Sequence, residues 1–178
     1  MPKIVKQFQF CPRCGGKLRI MRGKRNDICS QCGYEVYDTV LSVATTIIVN
    51  GRGEILLTKR ARAPHRGMWG TPGGFAERGE SAEDTARRES REELGLRLNS
   101  MQLFGTYPLL YRYQGVLLAC IESTFIARLA GNPRLLARDD ISEAKFVKPE
   151  HIPYSRLAFP SQRVAIRKYL KEQRLLRR

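Results

Sequence analysis

The sequence predicts an α/β fold, a mixed sheet packed between helices, with a small four-cysteine module in front of it. Three observations carry that expectation. Two Cys-x2-Cys pairs lie near the start of the chain, strand-like runs flank one central helical segment rich in glutamate, and a second helical segment comes late. Strands in this order, with one central and one late helix, suit a sheet covered on both faces.

Residues 1 to 38 read as the first module. Cys11-Pro-Arg-Cys14 and Cys29-Ser-Gln-Cys32 are two knuckles separated by fourteen residues. Zinc takes four ligands tetrahedrally and each knuckle supplies two, so the spacing points to one structural four-thiolate Zn2+ site. Gly15 and Gly33 follow the second cysteine of each pair and let the backbone turn its amides toward sulfur. Two disulfides are the competing reading. Lys3 and Lys6 interrupt residues 1 to 10, which hold no apolar core for a signal peptide, so a thiol-reducing, cytoplasmic setting is expected. Cys120 sits in an apolar run and reads as a small buried hydrophobe.

Residues 39 to 178 form the main domain. Leu41 to Val49 reads as a strand, Asn50-Gly-Arg-Gly53 as a turn, and Glu54 to Lys59 as the second strand of a hairpin. A loop from Ala61 to Pro72 follows. Ser81 and Asp84 make a capping-box pattern that starts a helix, and Gly95 suits the residue that ends it. Within that helix Glu89, Glu92 and Glu93 fall at i, i+3 and i+4, so three carboxylates share one face, about 5 to 6 Å apart. Such a cluster repels itself unless a cation neutralises it, and hard carboxylate oxygens suit Mg2+ or Mn2+. Arg88 stands four residues before Glu92 and can pin one carboxylate; a solvated helix face is the bland alternative. Met101 to Tyr113 and Val116 to Leu129 read as strands split by Gln114-Gly115. A short strand near Ala144 to Val147 and a helix over Leu157 to Leu170 complete the order.

With 178 residues and 42% hydrophobic content the chain can bury one sizeable core, and no apolar run reaches the length needed to cross a bilayer. Thirty-two Lys and Arg against seventeen Asp and Glu give +15, a field that attracts nucleotides and nucleic acid. Much of it lies at the C-terminus, where Arg163, Arg167, Lys168, Lys171, Arg174, Arg177 and Arg178 face only Glu172. That density also fits a solvated helix face.

The run from Gly74 to Leu96 resembles the Nudix box, G-x5-E-x7-R-E-U-x-E-E-x-G-U with U a bulky apolar residue. Gly74, Glu80, Arg88, Glu89, Glu92, Glu93, Gly95 and Leu96 fall in register, whereas Ser90 takes the first U position and departs from the pattern. The resemblance implies a Nudix α/β/α sandwich and a metal-dependent attack of water on a diphosphate. It makes Glu89, Glu92, Glu93 and the Gly73 carbonyl metal ligands, Arg88 an orienting residue and Glu80 a supporting one. The base differs between subgroups of the family; Glu93 is the first choice and Glu143 a candidate loop acid, with a solvent-exposed role equally open.

Over residues 8 to 172 the chain is similar to zinc-ribbon Nudix enzymes that cleave FAD or ADP-ribose. The opening Phe10-Cys-Pro-Arg-Cys14, the approach Trp69 to Gly74 and the tail Pro153 to Phe159 carry that likeness. NADH pyrophosphatases also join a ribbon to a Nudix domain, but their Ser-Gln-Pro-Trp-Pro-Phe-Pro tract has no counterpart between Leu98 and Gly115. On the substrate side Arg60 and Arg66 could contact phosphate, and Trp69 is either packing or a base-stacking platform. Three classes stay open: a hydrolase of FAD, ADP-ribose or related dinucleotides (NADH, dinucleoside polyphosphates), a hydrolase of RNA 5′ ends or nucleoside triphosphates, and a non-catalytic nucleotide sensor. A homodimer is a further expectation, carried by the family.

Overall fold

The computed structural model describes residues 8–19, 21, 26–37 and 39–176. Lys3, Lys6, Arg177 and Arg178 lie outside the described residues. Two compact units are present, one running up to Val40 and joined by Leu110–Ala119, the other comprising Leu41–Leu109 and Cys120 onward.

In the first unit β1 (Leu18–Arg19), β2 (Asn26–Cys29) and β3 (Glu35–Tyr37) form an antiparallel sheet in that order. So few residues cannot bury much apolar surface, and among the described residues the core is Leu18 and Val36 against Cys11 and Cys29. The polar stretch from Met21 to Asp27 reads as a loop in the sequence, and β2 begins inside it, at Asn26.

The second unit is built on β4 (Leu41–Val49) and β5 (Ile55–Arg60). Two short strands follow, β6 (Trp69–Gly70) and β7 (Gly73–Phe75), and then the helix α1 (Ala82–Leu94). The strands β8 (Gln102–Tyr113), β9 (Val116–Arg128) and β10 (Ile141–Val147) precede the last helix, α2 (Pro160–Leu176). The sheet runs β10-β5-β4-β9-β8, with β6 on β5 and β7 on β4; β4 and β9 are parallel, which makes the sheet mixed.

β4 is buried almost throughout because both of its faces are covered. Ile47 and Val49 pack with Ile55, Leu57 and Trp69 against Ile166 and Tyr169 of α2. Ile48 and Leu56 pack on the other side with Leu94 at the end of α1. Alternation along β4 therefore divides one strand between two cores, and the architecture is the expected α/β/α sandwich. No helix among the described residues is long and apolar enough to cross a membrane.

The structure departs from expectation at the last helix, at β10 and at two short strands. The last helix starts at Pro160 rather than Leu157, because Leu157 bridges Trp69 in parallel and the Ala158 amide donates to the Trp69 carbonyl, 2.8 Å. Proline then occupies the first helical position, where its missing N–H costs nothing. β10 begins at Ile141 and pairs along β5, with an irregularity between Ile141 and Glu143. β6 and β7 were not foreseen, since two and three residues give no periodicity to read.

These short strands open the sheet where the candidate site lies. β4 and β5 pair only at Val49 and Ile55, after which they diverge. β6 stays with β5 through Thr58 and Lys59, while β7 crosses to β4 and pairs through Val43, Ala44 and Thr45.

Candidate active site

Gly73 is held where the chain crosses that gap. Its φ of 143° lies in a region that favours glycine, and a Cβ there would collide with the Ala44 carbonyl. A Cβ on Gly74 would run into the Glu89 carboxylate. Both glycines are required because the backbone must lie directly against β4 and the helix carboxylates.

The helix that carries those carboxylates is fixed at both ends. Ser81 accepts from the Asp84 amide, 3.1 Å, and Asp84 accepts from the Ser81 amide, 3.2 Å, which completes the capping box. Gly95 ends the helix with φ 69° and donates back to the Arg91 carbonyl. Ser90, which replaces a bulky apolar residue, is buried and donates its hydroxyl to the Ala86 carbonyl at 2.8 Å. The polar atom is satisfied inside the helix, so the departure leaves no unpaired group in the core.

Arg88 does more than pin one carboxylate. Its Nε donates to Glu80 Oε1 at 2.7 Å, one terminal nitrogen donates to Glu89 Oε1 at 2.8 Å and Glu92 Oε2 at 3.0 Å, and the other donates to the Phe75 carbonyl at 2.9 Å and Glu80 Oε2 at 3.1 Å. The fork of guanidinium donors thus ties the box helix to the glycine strand. Glu80 is held well below the usual carboxylate range, to about 2, first by Arg88 and then by the Glu77 amide. It is a supporting group that orients Arg88.

Glu93 contrasts with it. Only 6% exposed, it accepts the Gly73 amide at 3.2 Å, and no side-chain cation bonds to it. Burial, and then the charge of Glu89, push its carboxyl up to about 8. Glu89 is also raised, chiefly by burial, with Glu92 and Asp139 adding to it and Arg88 opposing. Glu92 is the most open of the three, its side chain 42% exposed. A buried carboxyl beside like charges is costly to ionise unless a cation shares the site. The set of hard oxygens, with the Gly73 backbone in contact, fits Mg2+ or Mn2+.

Glu143 stands away from this network, bound to Lys145 at 3.2 Å and Lys59 at 3.4 Å, with its carboxyl lowered by both. The acids whose charge reaches the site are Asp139, toward Glu89, and Asp140, toward Glu93. They are brought there by two backbone bonds, Leu136 N to the Leu94 carbonyl and Arg138 N to the Glu93 carbonyl. Their signal in the sequence was an acidic pair directly before a strand, visible only with the strand start placed at Ile141. Arg60 also faces the site, since its charge acts on Glu93; it donates to the Pro64 carbonyl at 2.8 Å and lies 5.4 Å from the Phe159 ring. Arg66 is exposed. Trp69 is buried, with Lys145 at 4.4 Å and Lys59 at 5.5 Å from its ring.

Two buried polar residues with no assigned role lock α2 onto this region. Gln162 accepts the Thr71 amide at 3.2 Å. Glu122, fully buried, accepts Ser161 Oγ at 2.6 Å and Thr45 Oγ1 at 2.9 Å, and burial pushes its carboxyl up.

In the first unit the sulfurs of Cys11, Cys14, Cys29 and Cys32 lie within 4.8 Å of one another, and none is in a disulfide. Separations of 3.4 Å (Cys14–Cys32), 3.5 Å (Cys14–Cys29) and 3.8 Å (Cys11–Cys32) approach the edge of about 3.8 Å that a tetrahedron with Zn–S bonds near 2.3 Å requires. Gly15 and Gly33 take φ of 74° and 73°, and the amides of Cys32 and Gln31 help lower Cys29 to about 6. The cluster fits a zinc ion.

The NUDIX domain family model matches residues 39–169. Among curated proteins, the chain is 31% identical over 175 residues to an NAD-capped RNA hydrolase NudC of Stutzerimonas stutzeri, covering 98% of this chain and 58% of the relative. It is likewise 31% identical over 151 residues to a Pseudomonas putida protein of the same name, covering 84% and 51%. It therefore spans little more than half the length of these curated relatives. Among solved structures, a NUDIX hydrolase from Nitrosomonas europaea superposes with TM-score 0.72 at 27% identity, covering 94% of this chain and 93% of that one. A MutT NUDIX hydrolase from Burkholderia pseudomallei gives 0.62 at 28%, covering 72% and 97%.

Proposed function

This chain belongs to the Nudix hydrolase family, and on that premise we propose that it hydrolyses the diphosphate of a nucleoside diphosphate linked to another group, FAD or ADP-ribose first, releasing AMP. The observation that carries this reading is the buried Glu93 carboxyl against the Gly73 amide, beside Glu89 and Glu92 on a shared guanidinium. Glu89, Glu92, Glu93 and the Gly73 carbonyl would hold Mg2+ or Mn2+. Bound there, the ion neutralises non-bridging phosphate oxygens and acidifies a bound water.

The chain's own residues do the rest. Gly73 and Gly74 let the diphosphate approach the backbone without a side chain in the way. Arg88 holds Glu89 and Glu92 in place. Glu93 is the proposed base, accepting a proton from the attacking water; the oxygen joins phosphorus as the bridging P–O bond breaks, leaving AMP and a second phosphomonoester. Arg60 is the proposed phosphate contact, with Arg66 a weaker one. In this account residues 39–178 are the catalytic domain, and residues 1–38 a structural Zn2+ ribbon held by Cys11, Cys14, Cys29 and Cys32, suited to a thiol-reducing cytoplasm.

The relatives' name favours a second reading, a pyridine dinucleotide or an RNA capped with one, and the charge of +15 is compatible with it. The missing Ser-Gln-Pro-Trp-Pro-Phe-Pro tract weighs against it. Incubation with Mg2+ and FAD, ADP-ribose, NADH or an NAD-capped oligoribonucleotide separates the two. The first reading expects kcat/KM for FAD or ADP-ribose at least tenfold above the others; the reverse order replaces it with the second. Binding of ADP-ribose with no turnover of any compound would leave only the sensor.

A further inference from the structure

Beyond the carboxylate site, the second unit carries a run of adjoining concavities that share lining residues. One of about 530 Å3 holds Lys145, Lys148 and Arg156 and shares Glu54 and Lys148 with the next, of about 350 Å3, to which Arg52 belongs. That one shares Pro149 and Glu150 with two more, of about 510 Å3 and 490 Å3, both of which include Arg174; Arg167 lines the second. Through these shared residues the concavities adjoin one another in a groove along β10, the 3-10 turns at Pro149–His151 and Tyr154–Arg156, and α2.

Its charge is one-sided. Glu54 and Glu150 are the acids that line it, and Glu54 is already engaged by Asn50 at 2.7 Å and Arg52 at 3.1 Å. Lys148, Arg156 and Arg174 are exposed and carry no ion pair among the described residues. Arg167 sits over the Tyr154 ring at 4.8 Å, which holds this cation at the groove wall without neutralising it, whereas Lys145, 4.4 Å from the Trp69 ring, is paired with Glu143 at 3.2 Å. Cations from three separate elements thus outnumber the two acids along this concave path.

We propose that this groove binds single-stranded nucleic acid through its phosphates. A flexible chain of regularly spaced anions can follow a curved groove that a rigid duplex would bridge, and basic grooves with interleaved aromatics are a recurrent solution for such strands. A lipid surface would require the cations to lie on one convex face, and here they line a concavity. None of Glu80, Glu89, Glu92 and Glu93 lines the groove, so the site stands apart from the diphosphate chemistry and does not rest on it.

The test is fluorescence anisotropy with a labelled, unstructured RNA of about a dozen nucleotides, long enough to span a typical single-strand site. The wild type is compared with the triple variant Lys148→Glu, Arg156→Glu, Arg174→Glu. A control reverses three exposed charges outside the groove, Arg91→Glu, Arg97→Glu and Arg134→Glu. The proposal expects the groove variant to bind at least tenfold more weakly with a shallower dependence on salt, each lost phosphate contact reducing the log–log slope by about 0.7. The control should lose less than threefold, and circular dichroism melting reports whether each variant is folded. Should charge reversal disturb folding, the corresponding glutamine triple is read in the same way. Equal weakening in the two triples would reduce the effect to net charge and overturn the site. So would absence of RNA binding by the wild type at low salt, or tighter binding to phosphatidylglycerol vesicles than to RNA.

Discussion

The two clusters of would-be metal ligands in this chain are built on opposite logics. The four sulfurs close on one another from two knuckles, and a fully satisfied tetrahedron leaves no position for water or substrate. The three carboxylates lie along one face of α1; Arg88 ties Glu89 and Glu92 from one side, and Glu92 stays open. A closed set can contribute folding energy but no chemistry; an open set of like charges costs stability and gains function from the ion and substrate that complete it. The contrast teaches that crowding of ligands does not itself distinguish structure from catalysis. The number of ligands and the open side do.

The largest effect should come from the open cluster. Glu93→Gln is expected to lower kcat roughly 10^2 to 10^4-fold, while metal-free protein keeps its helix and loses no thermal stability. Turnover within threefold of wild type would remove Glu93 from both ligand and base roles.

Next comes the closed cluster. Cys11→Ser should abolish zinc binding and expose the first unit to protease, because binding energy at such a site, about 10 kcal/mol or more in small modules, is folding energy. Mg2+-dependent hydrolysis should stay within several-fold of wild type. Metal analysis of the wild type should give about one zinc per chain. Loss of zinc with full loss of hydrolysis would erase the distinction between the two clusters.

A pH series sharpens the comparison further. With its carboxyl raised to about 8 in the fold and near 4.5 when unfolded, Glu93 binds its proton more tightly in the native state. In the presence of chelator its contribution is therefore complete below the unfolded value and is lost as pH rises toward 8. Glu93→Gln should accordingly raise Tm at pH 8 by several degrees, about 2 to 4 °C for each kcal/mol in a chain of this size, and much less at pH 5. An equal shift at both values would contradict the buried, uncompensated carboxyl. The smallest effect belongs to Ser90→Ala, about 1 kcal/mol or less, since its hydroxyl bonds only the carbonyl four residues back; circular dichroism melting measures it.

How much was legible beforehand follows from where the information lies. The capping box, the box helix and Gly95 were readable because they depend on neighbours within four residues, and β4 was readable because its run of Val, Ile and Thr suits a strand. The knuckles were readable from spacing alone. The crossing of β6 and β7 between diverging strands was not, because it is set by where β4 and β5 part company rather than by any local pattern. Asp139 and Asp140 were missed for the same reason, since only the backbone bonds from Leu136 and Arg138 to the end of α1 carry them to the glutamates. Glu122 and Gln162 look like surface residues in the sequence. Their burial depends on α2 beginning at Pro160, a boundary moved by the bridge at Leu157.

The most direct test of the account is the identity of the products formed from ADP-ribose with Mg2+ and with chelator. The account predicts AMP and ribose 5-phosphate in equal amounts, formed only with the divalent ion. Release of adenine or of inorganic phosphate would place the chemistry outside the diphosphate, and undiminished turnover in chelator would remove the metal ion from it; either result contradicts the account.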